Sequence, residues 1–200
     1  MSKLKLFDKW DTEGVSVVDP GLKDYINLKP IIIPRSSGKY SGKQFHKSNM
    51  HIVERLMNHL FVAGHRGKKH RISSGSNVGK TFSVMDILIK TLKILEKKAN
   101  KNPVEVLVRA VENAALREEV TSFQVGGIIV RKAVITSPQR RVDLALRLIS
   151  QGSYQKAFKS SKKMSQCLAE ELLAAYNYDP QSSHAVREKE RMEREAGGAR

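Results

Sequence analysis

Apolar residues recur at helical spacing along most of this chain, and the spacing predicts five helices. Ile52, Val53, Leu56, Met57 and Leu60 repeat every three or four positions, with Ser48 placed to cap the helix they define. Gly64 and Gly67 are expected to end it, ahead of the basic loop HRGKKHR. Met85, Ile87, Leu88, Leu92, Ile94 and Leu95 give a second helix a broad apolar face, and Ser83 with Asp86 reads as its capping box. The third start is sharper. Asn102 can cap, Pro103 takes the first position where a missing N–H is harmless, and Leu107, Val108, Val111, Ala114 and Ala115 point inward to about Leu116. Ser137-Pro138 repeats that start for a fourth helix, which Val142, Ala145, Leu146, Leu148 and Ile149 carry to an expected stop at Gly152. The fifth, near Met164 to Tyr176, buries Leu168, Leu172 and Leu173.

Between Val120 and Ile135 the period changes from helical to strand-like, around Gly126-Gly127. Both central residues of a tight hairpin turn need positive φ, which glycine alone adopts without strain. The resulting register opposes Val125 to Ile128, Phe123 to Val130 and Thr121 to Lys132 on one side, with Gln124 to Ile129 and Ser122 to Arg131 on the other. Two readings of this ribbon stand side by side. It is a device that meets nucleic acid, or an ordinary excursion packed on the body with Arg131 and Lys132 solvated.

The two ends differ from the middle. Residues 1–47 carry turn formers and no sustained period, so they read as an extended arm, pinned by Trp10, Tyr25 and the run Ile31-Ile32-Ile33. Residues 181–200 alternate in sign from Arg187 to Glu195 and read as a solvated helix or frayed tail. The expected architecture is mainly α. It comprises a body at 48–180 of about five to six helices, a protruding two-stranded β-ribbon at about 120–136, the arm and the charged tail.

Charge changes the picture from architecture to partner. The formal net charge is +16, with 36 Lys and Arg against 20 Asp and Glu. Such an excess attracts polyanions by counterion release and steering. It is also clustered: from Arg35 to Lys80 stand ten cations and one acid, Glu54. Nucleic acid is the first candidate partner and an anionic membrane the second. No apolar run approaches the about 18 residues that span a bilayer, and the start MSKLKLFDKW lacks the apolar stretch of a secretory signal. A soluble, cytoplasmic protein without membrane attachment is expected. Aromatic residues are 6% of the chain, too few for extended base stacking, which favours folded RNA or a duplex held through phosphates and shape.

Candidate catalytic chemistry is thin. Ser74 to Thr81 nearly spells the phosphate loop of nucleotide hydrolases, but its first glycine is Ser74 and the polar stretch upstream is no buried strand. His46, His51, His59, His65 and His70 lack the spacing and the cysteines of a zinc site, and Cys167 sits in a helical pattern as packing. Glu118-Glu119 and Glu170-Glu171 read as solvated faces rather than catalytic pairs. The expectation is no enzyme, no cofactor and no metal.

Several separate motifs resemble one family. His51-Ile-Val-Glu-Arg-Leu56, Asn102-Pro-Val-Glu-Val-Leu107, Val111-Glu-Asn-Ala-Ala115, the turn Val125-Gly-Gly127, Ser137-Pro-Gln-Arg-Arg141 and Leu168-Ala-Glu-Glu-Leu172 are similar to the universal small-subunit ribosomal protein seven family, the counterpart of eukaryotic small-subunit protein five. The likeness runs in order over roughly residues 10–200, and the long arm resembles archaeal and eukaryotic members. It implies a ribosome-bound, non-catalytic structural constituent of the small subunit. Such a protein is a primary binder of the 3′ domain of small-subunit rRNA that nucleates head assembly, near the tRNA exit site and the mRNA exit path. The implied partners are rRNA, neighbouring head proteins, exit-site tRNA and mRNA. The implied RNA contacts are Lys43, Lys47, Arg55, Lys68, Lys69, Arg71, Arg131, Lys132, Arg140 and Arg141. A sequence-tolerant DNA-binding helical domain, reading a groove with the helix after Pro138 through Arg140, Arg141 and Arg147, is the competing class.

Overall fold

The computed structural model describes residues 4–65 and 74–200. Among them are α1 (Ile52–Leu60), α2 (Thr81–Ala99), α3 (Pro103–Ala114), β1 (Glu118–Val125), β2 (Ile128–Ile135), α4 (Pro138–Ala157), α5 (Met164–Tyr176) and α6 (His184–Gly197). α5 touches α2, α3 and α4, while α4 also packs on α1, α3 and α6. Leu88, Leu92, Leu107, Val111, Leu146, Ile149, Leu168 and Leu172 meet there fully buried. Each such aliphatic side chain contributes about 1.5–3 kcal/mol of burial against the entropy of ordering it. The mainly α body with a projecting ribbon is the architecture expected from the pattern.

The helix starts depart from expectation in two places. α1 is capped by His51, whose Nδ1 accepts the Val53 N–H at 3.2 Å, while Ser48 lies earlier in a 3-10 turn, His46–Asn49. The chain is held at this point because the Ile52 N–H donates to the Asn27 carbonyl at 3.1 Å. α2 begins at Thr81, two residues before Ser83, and Asp86 pairs with Lys90 instead of closing a box. α3 starts as predicted, with Asn102 Oδ1 accepting the Val104 N–H at 3.0 Å and Pro103 at the first position.

Gly152 does not stop α4, which continues to Ala157. Its role is clearance: a Cβ there would lie 2.7 Å from the His184 Cβ and 2.9 Å from the Glu171 Cδ. A helical glycine costs about 1 kcal/mol relative to alanine, and here it lets three helices approach. Nor is the last segment frayed. α6 docks against α4 and the root of β1, burying Ala185, Val186 and Ala196. Its N-terminus hangs on the buried Glu171 carboxylate, which accepts from Ser183 Oγ (2.9 Å) and the Ala185 N–H (3.0 Å) and lies 2.6 Å from Lys156 Nζ.

Residues 4–45 hold little regular structure apart from the 3-10 turn Lys23–Tyr25, yet Leu6, Trp10, Leu22 and Ile26 enter the core. Trp10 Nε1 donates to Glu96 at 3.1 Å. Of the expected pins, Tyr25 and Ile31 pack partly buried, whereas Ile32 and Ile33 are exposed. The ribbon has the predicted register and runs three pairs beyond Thr121 opposite Lys132 toward its root, to Glu118 opposite Ile135. Gly126 and Gly127 take φ of 55° and 88°, as the turn requires. Beyond the root the ribbon is not packed on the body: Ile128 and Ile129 are 71% and 70% exposed.

Candidate nucleic-acid interface

The cations divide by whether a partner within the chain already holds them. Arg55 is buried, its side chain 3% exposed, donating to the Tyr25 carbonyl at 2.7 Å and to Asp143 Oδ1 at 3.0 Å. Lys47 reaches the other oxygen of Asp143, also at 3.0 Å, with half its surface in solvent. Burial pushes the Asp143 carboxyl up, but the hydrogen bonds from Arg55 and Lys47 outweigh it and hold the group below the usual carboxylate range. Arg141 is similarly engaged, donating to Asp19 Oδ2 at 2.7 Å and to the Leu116 carbonyl at 3.1 Å. Arg140 is exposed but clamped, with Nε and Nη2 on the two oxygens of Glu119 at 2.6 and 2.7 Å.

Lys43, Arg131 and Lys132 are exposed with no side-chain hydrogen bond or ion pair among the described residues. Lys68, Lys69 and Arg71 lie outside the described residues. Thus the structure brings Lys47 and Arg55 together around Asp143, Arg140 and Arg141 at the start of α4, and Arg131 and Lys132 on the ribbon. Arg55 and Arg141 serve the fold in this arrangement, tying the N-terminal segment to α1 and α4.

Further cations stand beside these. A groove of about 460 Å³ between residues 34–41 and α1 is lined by Arg35, Lys47, His59 and Asp143. A second, of about 1100 Å³, runs between the end of α1, α4 and α6, lined by His59, His65, Arg147 and Arg187. Asn58 and His59 border both, so the two grooves adjoin at the end of α1. Burial lowers the pKa of His59 to about 4, keeping it neutral, and His51 is lowered to about 4 by the same cause. Arg147 was legible on the outer side of α4, four residues after Asp143. Arg35 and Arg187 belonged to charge runs that nothing local set apart.

The competing chemistries fit less well. α4 buries Val142, Leu144–Leu146 and Leu148–Ser153, so it is a core helix and not one free to enter a DNA groove. The loop before α2 would need a feeding strand in a parallel sheet to act as a hydrolase loop. The sheet among the described residues is the antiparallel ribbon, and the segment just upstream of Ser74 lies outside them. No group of three metal-ligating side chains occurs among the described residues, and no helix there is long and apolar enough to cross a membrane. Cys167 is buried and free, with its thiol pushed up by burial.

A helix-built protein of net charge +16 with exposed cations on its body and on a projecting ribbon is of the RNA-binding structural class found in ribonucleoprotein particles. The chain belongs to the ribosomal protein S7p/S5e family, whose model matches residues 22–200. It is 46% identical over 198 residues to the small ribosomal subunit protein uS7 of Nanoarchaeum equitans, covering 99% of this chain and all of that one. To the protein of that name from Methanococcus aeolicus it is 45% identical over 198 residues, again 99% and all of the two chains. With that of Methanococcoides burtonii the figures are 47% over 196 residues, 98% and 99%. The family is of a structural, non-enzymatic kind and works in translation.

Proposed function

We propose that the chain is a constituent of the small ribosomal subunit that binds the 3′ domain of small-subunit rRNA and nucleates assembly of the head. The observation that carries this reading is the sorting of cations in a member of a ribosomal family. Arg55 and Arg141 are fixed inside by Asp143 and Asp19, leaving Lys43, Arg131, Lys132 and Arg147 exposed and unpaired among the described residues. The packed body holds these groups at set distances, so the RNA is selected by the shape that offers phosphates at those distances. Lys47 and Arg140 join them through their exposed ends, and Lys68, Lys69 and Arg71 extend the set.

The ribbon carries no charge from Thr121 to Val130. Its tip suits an apolar surface on a neighbouring head protein or exposed bases, in keeping with a seat beside the tRNA exit site and the mRNA exit path. Arm, helical body with ribbon, and C-terminal helix act as three parts at 1–47, 48–180 and 181–200. Crosslinking the chain within intact small subunits and mapping the nucleotides tests the assignment. Crosslinks in the 3′ domain from Lys43, Arg131 and Lys132 are expected; crosslinks confined to another rRNA domain refute it.

A further inference from the structure

Among the described residues seven carboxylates stand behind more exposed cations, and they are not alike; two of them, Glu188 behind Arg191 and Glu170 behind Lys162, pair within their own stretch of chain. Glu112 also accepts the N–H groups of Val18 (2.6 Å) and Asp19 (2.9 Å). Asp143 holds the buried Arg55, and Glu171 anchors the start of α6. Those three have structural work apart from their exposed partners Arg109, Lys47 and Lys156. Among the described residues Glu119 and Glu118, at the ribbon root, accept only from the single arginines Arg140 and Arg200. Glu119 is also well placed behind its cation: its side chain is 20% exposed against 53% for Arg140, so the guanidinium faces solvent with its fork turned inward.

We infer that Glu119 is a specificity-determining residue, an internal counter-ion that withholds the Arg140 guanidinium from arbitrary polyanions. A free arginine fork binds any phosphate bidentately. With Nε and Nη2 already on Glu119, an incoming phosphate must either displace the carboxylate or take the remaining outward edge of the guanidinium, and in both cases it stays close to a negative charge. A flexible, non-cognate strand has no compensating contacts there. A folded RNA held by the rest of the face presents its phosphate at a set position and meets the outward edge of the guanidinium or displaces Glu119 with support from elsewhere. Specificity is thus raised by penalising wrong partners rather than by strengthening the right one.

This rests on the rRNA-binding reading, and its test is arranged so that the two fail separately. Binding of the full chain to poly-U and to a 3′-domain rRNA fragment is measured at low salt for wild type, E119Q, R140Q and the double variant, with thermal unfolding confirming each fold. An exposed ion pair is worth little, so E119Q is expected to tighten poly-U binding by about two- to five-fold. The rRNA fragment should change by less than about twofold on the same scale. In the R140Q background E119Q should do nothing to poly-U. Unchanged poly-U affinity, an equal gain on both RNAs, or a gain that persists without Arg140 overturns the inference, the last by reducing the effect to net charge. If E119Q unfolds, E119A repeats the measurement. A wild-type protein that binds the rRNA fragment no better than poly-U sinks the functional reading, while the poly-U cycle still reads Glu119.

Discussion

Asp143→Asn should unfold the joint between the N-terminal segment, α1 and α4 at lower temperature, and the structure sets the size of the effect. Asp143 neutralises Arg55, which has almost no access to water, and Lys47, which has ample access. Removing one partner of a fully buried ion pair costs about 3–5 kcal/mol because the other charge is stranded. Asp143 is itself 19% exposed and Arg55 keeps its bond to the Tyr25 carbonyl, so the cost falls to the bottom of that range or just under it, about 2–3 kcal/mol. For a chain of this length that corresponds to a fall in Tm of about 5–10 °C. Lys47→Met should cost under about 1 kcal/mol, since it removes an exposed pair. Circular dichroism melts and urea titrations at neutral pH measure both. The acid limb gives a second check: the folded carboxyl titrates below its unfolded value, so its contribution is complete above the unfolded pKa and disappears as pH falls through the folded one. D143N should lack that share of the acid limb, while Asp19, also held below its ordinary value, keeps its own. A loss of less than about 2 °C, or equal losses for D143N and Lys47→Met, would refute the assignment of Arg55 as the stranded charge.

Gly152→Ala should destabilise by about 1–3 kcal/mol despite the better helix propensity of alanine, because the added Cβ meets side-chain carbons closer than 3 Å; urea midpoints check it, and a stabilised variant would refute the clearance role. His51 and His59, held near pKa 4 by burial, are neutral when folded and gain a proton on unfolding below about pH 6.5. Stability from each is therefore complete above the unfolded pKa and declines as pH falls toward 4, by about 1.4 kcal/mol per pH unit per histidine. Urea titrations from pH 7 to 5 should show that slope, reduced by half in His59→Gln. Replacing Arg131 and Lys132 by Gln should flatten the plot of log affinity for the rRNA fragment against log salt by about 0.7–0.9 for each phosphate no longer neutralised, whereas Lys93→Gln on the far helix should not.

Legibility in the sequence follows the range of the interaction involved. The ribbon register came out pair by pair because two adjacent glycines at positive φ admit one kind of turn, and α3 and α5 had caps or apolar spacing within their own few residues. Gly152 misled because its local meaning, a helix stop, was overridden by side chains 19 and 32 positions further on. The α6 segment looked solvated because its charges outnumber Val186, Met192 and Ala196, which nevertheless pack inward. Leu6 and Leu22 sit among turn formers with no period to mark them, yet both are wholly buried.

The same limit divides the arginines of the candidate interface. Cationic side chains in a basic stretch look equivalent in sequence, but Arg141 meets Asp19 across 122 positions and Arg55 meets Asp143 across 88. Each acid therefore converts one member of a cationic run into a structural tie and leaves its neighbours for an external polyanion. With 20 acids against 36 strong cations, the pairing cannot be complete, and the excess remains outside. Acid substitutions should accordingly sort into two kinds: those at Asp143 or Glu171 that lower stability, and those at Glu119 that leave stability in place and change which RNA is held. Both follow from whether the carboxylate binds anything besides an exposed cation.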